Sequence, residues 1–316
     1  IAMDLSGLGE FGLIELIRER FASIPSHECE GIGDDCAVLP LNTTESMVVT
    51  TDLLVEDIHF LRDRITPEQL GRKSLAVNLS DVAAMGAAPV ASFLSLSLPP
   101  GVTGVWIDAF LAGYHALSTQ FGVPLLGGDT TSARDRLTVS VTAIGRAENT
   151  HLKRRGDAKP GDRIFVTGYL GDSAQGLQDM LSGRDTPFIA LHNKPEPFVS
   201  EGIWLGGRNE VHAMMDISDG IASDLLHILQ MSGVGAEVSL DMIPTNTPIE
   251  LAVAGGGDYK LLLTADVGAA ARLAEDYKAK FGEPLYEIGR IVAGEEIRWL
   301  DRGNPVLIEC EGFAHF

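Results

Sequence analysis

Between Glu10 and Ala22, apolar residues recur at Leu13, Ile14, Ile17 and Phe21, a spacing that predicts an amphipathic helix. Residues 46–55, SMVVTTDLLV, form a β-branched apolar run that reads as a buried strand delivering Thr50, Thr51 and Asp52 near its end. Thr66, Pro67 and Gln69 make a helix start, and the pattern continues to about Met85, placing Asn78 and Asp81 on one face. Residues 90–99 alternate as a strand, 103–121 read as a helix, 123–131 as a short strand entering a glycine-rich turn, and 136–146 as another strand. From 149 to 163 the chain turns polar and loses periodicity, which marks a domain boundary between 1–148 and 149–316. Beyond it, strands are expected near 164–168, 235–241, 259–265 and 286–292, with helices near 171–182, 220–232 and 267–281. Strands and helices alternate throughout, so the fold class is α/β or α+β.

Length and composition narrow the function. The 316 residues suit two domains with real cores, at 45% hydrophobic and 22% charged. A formal net charge of -20 argues against nucleic acid and anionic membranes as partners, since the longest basic run is Lys153-Arg154-Arg155. The cysteines, Cys29, Cys36 and Cys310, are too few and scattered for a disulfide framework or a zinc site, which fits a reduced, cytoplasmic setting. Neither a signal peptide nor an apolar run of membrane-spanning length is expected.

Against that charge, GIGDD at 31–35 sets Asp34 beside Asp35, a pair that needs open solvent or a cation. Further aspartates stand beside Gly, Ser or Thr at expected element ends: Asp52, Asp81, Asp129 after Gly127-Gly128, and Asp216 and Asp219 around Ser218. Any one of them is well explained as a cap or turn residue. As a set they suit Mg²⁺, which takes oxygen ligands and shares them with substrate phosphates, while the glycines allow backbone N–H groups to approach phosphate. A polymetal site carrying a polyphosphate is the reading. The chain contains no P-loop, kinase signature, dinucleotide fingerprint or G-x-S-x-G elbow. Of the histidines, His59 alone lies near a carboxylate-bearing strand end.

Taken in order, GIGDDCAV, TTDLLVEDIHF, KSLAVNLSDVAAMGA, LLGGDTT, the pair Gly145-Arg146, KPGD, GDSAQGL, MDISDGIASDL, AGGGDYKLLLT and a terminal GFAHF resemble the thiamine-monophosphate kinase family across nearly the whole chain. The resemblance implies an aminoimidazole ribonucleotide synthetase-like fold of two domains, the N-terminal one a mixed sheet that pairs across a homodimer and the C-terminal one α/β. It implies phosphorylation of thiamine monophosphate by ATP with several Mg²⁺ ions. Asp35, Thr50, Thr51, Asp52, Asp81, Asp129, Asp216 and Asp219 match metal positions, and Asp34 shares the motif. Gly128, Asp129, Arg146 and Ser218 match ATP contacts, with Arg146 adding a fixed positive fork. His59, the position of Gly257, and Phe313 match substrate contacts. Asp35, Asp81, Asp129, Asp219 and Arg146 are then the residues expected to carry the reaction.

The resemblance has two departures. Where the family reads Gly-Gly-Glu-Asp-Tyr-Glu, this chain reads Gly255-Gly256-Gly257-Asp258-Tyr259-Lys260, so the substrate glutamate is missing at Gly257, and Asp258 is the candidate replacement. Phe198 stands where similar sequences often carry Arg. Two alternatives stay open on these grounds: a related ATP-dependent enzyme with another substrate, and a non-catalytic binder of nucleotide or thiamine phosphate.

Overall fold

The computed structural model of the protein describes residues 5–308, so Phe313 lies outside the described residues. Helix α1 (Leu5–Phe21) leads into strands β1 (Ala37–Pro40) and β2 (Glu45–Val55), then helix α2 (Pro67–Ala84), β3 (Ala88–Leu98), α3 (Gly104–Phe121), β4 (Leu125–Ser132) and β5 (Thr138–Glu148). Their sheet runs β1-β2-β5-β3-β4, antiparallel except for the parallel β3–β4 pair. Alternation along β2 and β5 sends one set of side chains toward α2 and leaves the other set outward. α2 begins as the sequence predicts, with Thr66 and Gln69 closing a reciprocal capping box and Pro67 in the first turn.

After two short 3₁₀ turns, Asn149–His151 and Arg155–Asp157, the second half comprises β6 (Arg163–Val166), α4 (Asp172–Leu181), α5 (Pro187–Asn193), α6 (Val199–Gly206), β7 (Val211–Ile217), α7 (Ile221–Ser232), β8 (Gly235–Ser239), α8 (Ile249–Ala254), β9 (Lys260–Ala265), α9 (Ala270–Phe281), β10 (Tyr286–Val292), β11 (Ile297–Asp301) and β12 (Asn304–Val306). Its strands order as β12-β11-β8-β10-β6-β9-β7, mostly antiparallel with β11 parallel to β8. Both sheets are therefore mixed, and the class is α/β in the α+β sense expected. The halves share a core: Ala83 and Ala84 at the end of α2 pack with Phe165, Leu205, Met214 and Leu261.

Two expectations are corrected. Thr50, Thr51 and Asp52 sit in the middle of β2, not near its end, so Thr50 and Asp52 face α2 while Thr51 faces outward. The segment expected to be a glycine-rich turn, Gly127-Gly128-Asp129, is part of β4. Gly128 permits this: its φ is 153°, and a Cβ there would lie 1.6 Å from the Leu94 carbonyl oxygen of β3. At Gly127 an added Cβ would meet only the Phe93 ring, at 3.3 Å. Gly128→Ala is accordingly expected to lower the unfolding free energy by about 2–3 kcal/mol, and Gly127→Ala by less than about 1 kcal/mol, in denaturant titrations of the two variants.

Candidate active site

Three carboxylates from three separate elements converge. Asp35 enters from the loop before β1, Asp81 from α2 and Asp216 from β7, and one oxygen of each lies within 4.8 Å of the others. Local bonds hold each in place. Thr50 Oγ1 on β2 donates to Asp81 Oδ2 at 2.6 Å, and Ser80 Oγ donates to Asp216 Oδ2 at 2.6 Å. Arg155 Nη2 donates to Asp35 Oδ1 at 2.8 Å while the Arg155 backbone N–H donates to Asp34 Oδ1. The adjacent aspartates are thus divided between the side chain and the main chain of one arginine. Asp35 Oδ2 remains buried without a hydrogen-bond partner.

The electrostatics of this cluster are unfavourable unless positive charge is added. Burial, with the neighbouring carboxylates, pushes Asp81 and Asp216 well above the usual carboxylate range. Asp52, on the α2-facing side of β2, is pushed up to about 6 by burial and by the charge of Asp35. Burial also raises Asp35, against the pull of Arg155. An all-oxygen donor set with an orphaned buried oxygen fits a hard divalent cation such as Mg²⁺, which would reverse this penalty.

Asp52, Ser218 and Asp219 line a cavity of about 750 Å³ beside the cluster, together with His59, Lys73, His192, Gly257 and Tyr259. The loop after β7 is fixed by Asp224 of α7, whose Oδ2 accepts from the N–H groups of Asp219 and Gly220, both at 3.1 Å. His59 Nδ1 accepts the Val55 N–H at 2.9 Å, which places the proton of the neutral ring on Nε2. Thr51 Oγ1 donates to the Val141 carbonyl on the outward face, away from Thr50 and Asp81. Gly128 and Asp129 are exposed on edge strand β4, where Asp129 Oδ1 accepts from the Thr130 N–H.

Arg146 lies apart from the carboxylates. It stands opposite Met47 on β2, and its guanidinium donates twice to Glu45, at 2.9 and 2.6 Å. The cation at the cluster is Arg155, which sequence reasoning noted only as part of the basic run 153–155. Tyr259, Ser80, Asp224 and Lys73 were also missed. Ser80 and Lys73 sit in the α2 motif beside residues that were singled out, and Tyr259 follows the altered glycine loop.

The structure also accounts for the departures. Gly257 has φ 87°, and a Cβ there would lie 2.5 Å from Ser173 Oγ. Asp258 is not free to replace a glutamate at 257: its oxygens accept the N–H groups of Gly171 at 2.8 Å and Ser173 at 3.1 Å, at the start of α4. Lys260 and Phe198 meet each other, with the ammonium 4.9 Å from the ring centroid.

The AIR synthase related protein N-terminal domain matches residues 33–147 and the AIR synthase related protein C-terminal domain matches 159–300. The chain is 39% identical to the thiamine-monophosphate kinase of Salmonella typhimurium, with 98% of each chain covered. Among solved structures it is similar to AaThiL complexed with AMPPCP and TMP, at 32% identity, TM-score 0.86 and full coverage of both chains. It is also similar to thiamine-monophosphate kinase from Stenotrophomonas maltophilia K279a, at 36% identity, TM-score 0.76, and 95% of this chain against 98% of that one.

His192 makes stability in this region depend on pH. Burial and the charge of Lys73 push its pKa down to about 3, while its ring shares a hydrogen bond with Ser173 Oγ at 2.9 Å. The unfolded chain takes up a proton near pH 6.5 that the folded chain refuses until about 3, so stability present above 6.5 is lost as pH falls, by about 1.4 kcal/mol per unit. Between pH 7 and pH 5 the wild type is expected to lose about 2 kcal/mol more than His192→Gln, measured by denaturant unfolding at both pH values.

Proposed function

Because the chain belongs to the thiamine-monophosphate kinase family, within the AIR synthase related proteins, we propose that it transfers the γ-phosphoryl group of ATP to thiamine monophosphate, giving ADP and thiamine diphosphate. The observation that carries this reading is the largely buried cluster of Asp35, Asp81 and Asp216, with its orphaned oxygen, beside a cavity large enough for an organic phosphate.

The acceptor is a phosphate monoester with a second pKa near 6, mostly a dianion at neutral pH, so it attacks without a general base. Its obstacle is repulsion from the ATP phosphates, and the chemistry is one of positioning and charge. Bound Mg²⁺ would neutralise that charge and polarise the transferred phosphoryl group. Asp35, Asp81 and Asp216 are the residues to hold it, with Asp52, Asp219 and Thr50 as further oxygen donors; Thr51 and Asp129, which face away from that cluster, would need a separate ion. Asp224 keeps the Asp219 backbone in place, and Ser80 and Thr50 orient the carboxylates. Arg155 supplies a guanidinium fixed at the cluster. Gly128, Ser218 and Arg146 are proposed ATP contacts, and His59, the Gly257 loop and Phe313 are proposed contacts to thiamine monophosphate. No covalent enzyme intermediate is required.

We assign ATP and metal binding chiefly to residues 1–148, with 149–316 completing the site, in a cytoplasmic setting that supplies ATP and keeps Cys29 and Cys36 as thiols. No described helix is long and apolar enough to cross a membrane. The outward face of the first sheet carries Leu53 on β2, 55% exposed, and the wholly exposed β4 at the sheet's far edge, and supports a homodimer formed through that face.

Purified protein with ATP, Mg²⁺ and thiamine monophosphate is expected to form thiamine diphosphate, resolved by chromatography, and to form none without metal or with free thiamine. Asp81→Asn and Asp216→Asn should each lower turnover by at least about a hundredfold with the fold intact by circular dichroism; near-normal turnover in either would remove the metal assignment. Sedimentation should give twice the 33.8 kDa chain mass, falling toward the monomer in Leu53→Lys.

A further inference from the structure

The cavity carries opposite charges at its two ends. Along α2, Lys73, Val77 and Asp81 follow at four-residue intervals on one stripe, so Lys73 lies about 12 Å from Asp81 along the helix axis. Its side chain leans toward the helix start, away from the carboxylates. Among the described residues Lys73 is the one Lys or Arg in the cavity wall, and it is only 6% exposed. Among the described residues its ammonium donates a single hydrogen bond, to the His192 carbonyl at 3.1 Å. Burial alone lowers its pKa, to about 8. A buried ammonium with unused donors facing a cavity calls for an acceptor on whatever fills it.

Apolar neighbours define that acceptor. Val77, one turn from Lys73 on α2, lines the cavity together with Leu61, Leu177 and Met180, a wall that suits a flat, uncharged ring with a polar edge. The transferred phosphoryl group belongs at the carboxylate end, two helical turns away. Resting on the kinase reading above, we propose that Lys73 is the specificity residue for the non-phosphate end of the acceptor, donating a hydrogen bond to a ring nitrogen of its aminopyrimidine. The positively charged thiazolium then lies between, nearer the aspartates.

The test compares wild type, Lys73→Met and Lys73→Arg against thiamine monophosphate and two analogues, each with one pyrimidine ring nitrogen replaced by C–H. Wild type should disfavour one analogue by about tenfold or more in KM, and Lys73→Met should raise KM for thiamine monophosphate by a similar factor and lose the discrimination. The KM for ATP should stay within about threefold of wild type, since the change lies at the other end of the cavity. Lys73→Arg, which keeps donors, should retain part of the discrimination and guards against a packing effect. Unchanged KM in Lys73→Met, or the same discrimination as wild type, overturns the proposal. Calorimetric titration of thiamine monophosphate separates the two readings: Lys73-dependent binding without turnover would sink the kinase assignment and leave Lys73 standing, whereas no binding to wild type would sink both.

Discussion

The rest of the structure depends on holding three carboxylates in one buried place. Asp35, Asp81 and Asp216 come from a loop, a helix and a strand, two from the first half of the chain and one from the second. Left to themselves they repel each other and lose hydration, and both effects appear as raised proton affinities at Asp81 and Asp216, while burial alone raises that of Asp35. Elements that have little else in common converge on this problem: the Ser80 and Thr50 hydroxyls, the Arg155 guanidinium, and Asp224 holding the loop after β7. The stored electrostatic cost is what a divalent cation relieves, so affinity for metal is built from the same interactions that burden the metal-free fold.

The cavity extends this asymmetry. Its acidic end suits phosphate held through cations, and its Lys73 end suits a neutral hydrogen-bond acceptor. Of the departures from the family pattern, Gly257 lines this cavity, and the others lie next to it in the chain or in space. Ser173 occupies the space a side chain at 257 would need, Asp258 is committed to the first N–H groups of α4, and Lys260 rests over Phe198.

Much of this was legible in the sequence where a local signal existed. The capping box at Thr66, the β-branched run of β2, the alternation of β3 and the helical pattern of α2 are local signals, and the structure follows them. β7, which delivers Asp216, was not recognised, because VHAMMDI lacks the β-branched character of an obvious strand. Short α5, α6 and α8 were also missed, having too few turns to show a period. Asp35, Asp81 and Asp216 could be suspected as members of a set, but their convergence is a property of tertiary packing. Arg155 was hidden for the same reason: its partner Asp35 lies 120 positions away.

The polar stretch around residue 150 reads as a hinge between independent modules, yet its basic side chains tie it to both. Arg154 grips Glu30 with two bonds, Arg155 reaches Asp35, and Lys153 donates to the carbonyls of Arg208 and Val211. The segment is therefore a rivet. A gene cut there would leave Asp35 in one fragment and its guanidinium in the other, so this enzyme is ill suited to domain shuffling at the boundary its composition advertises.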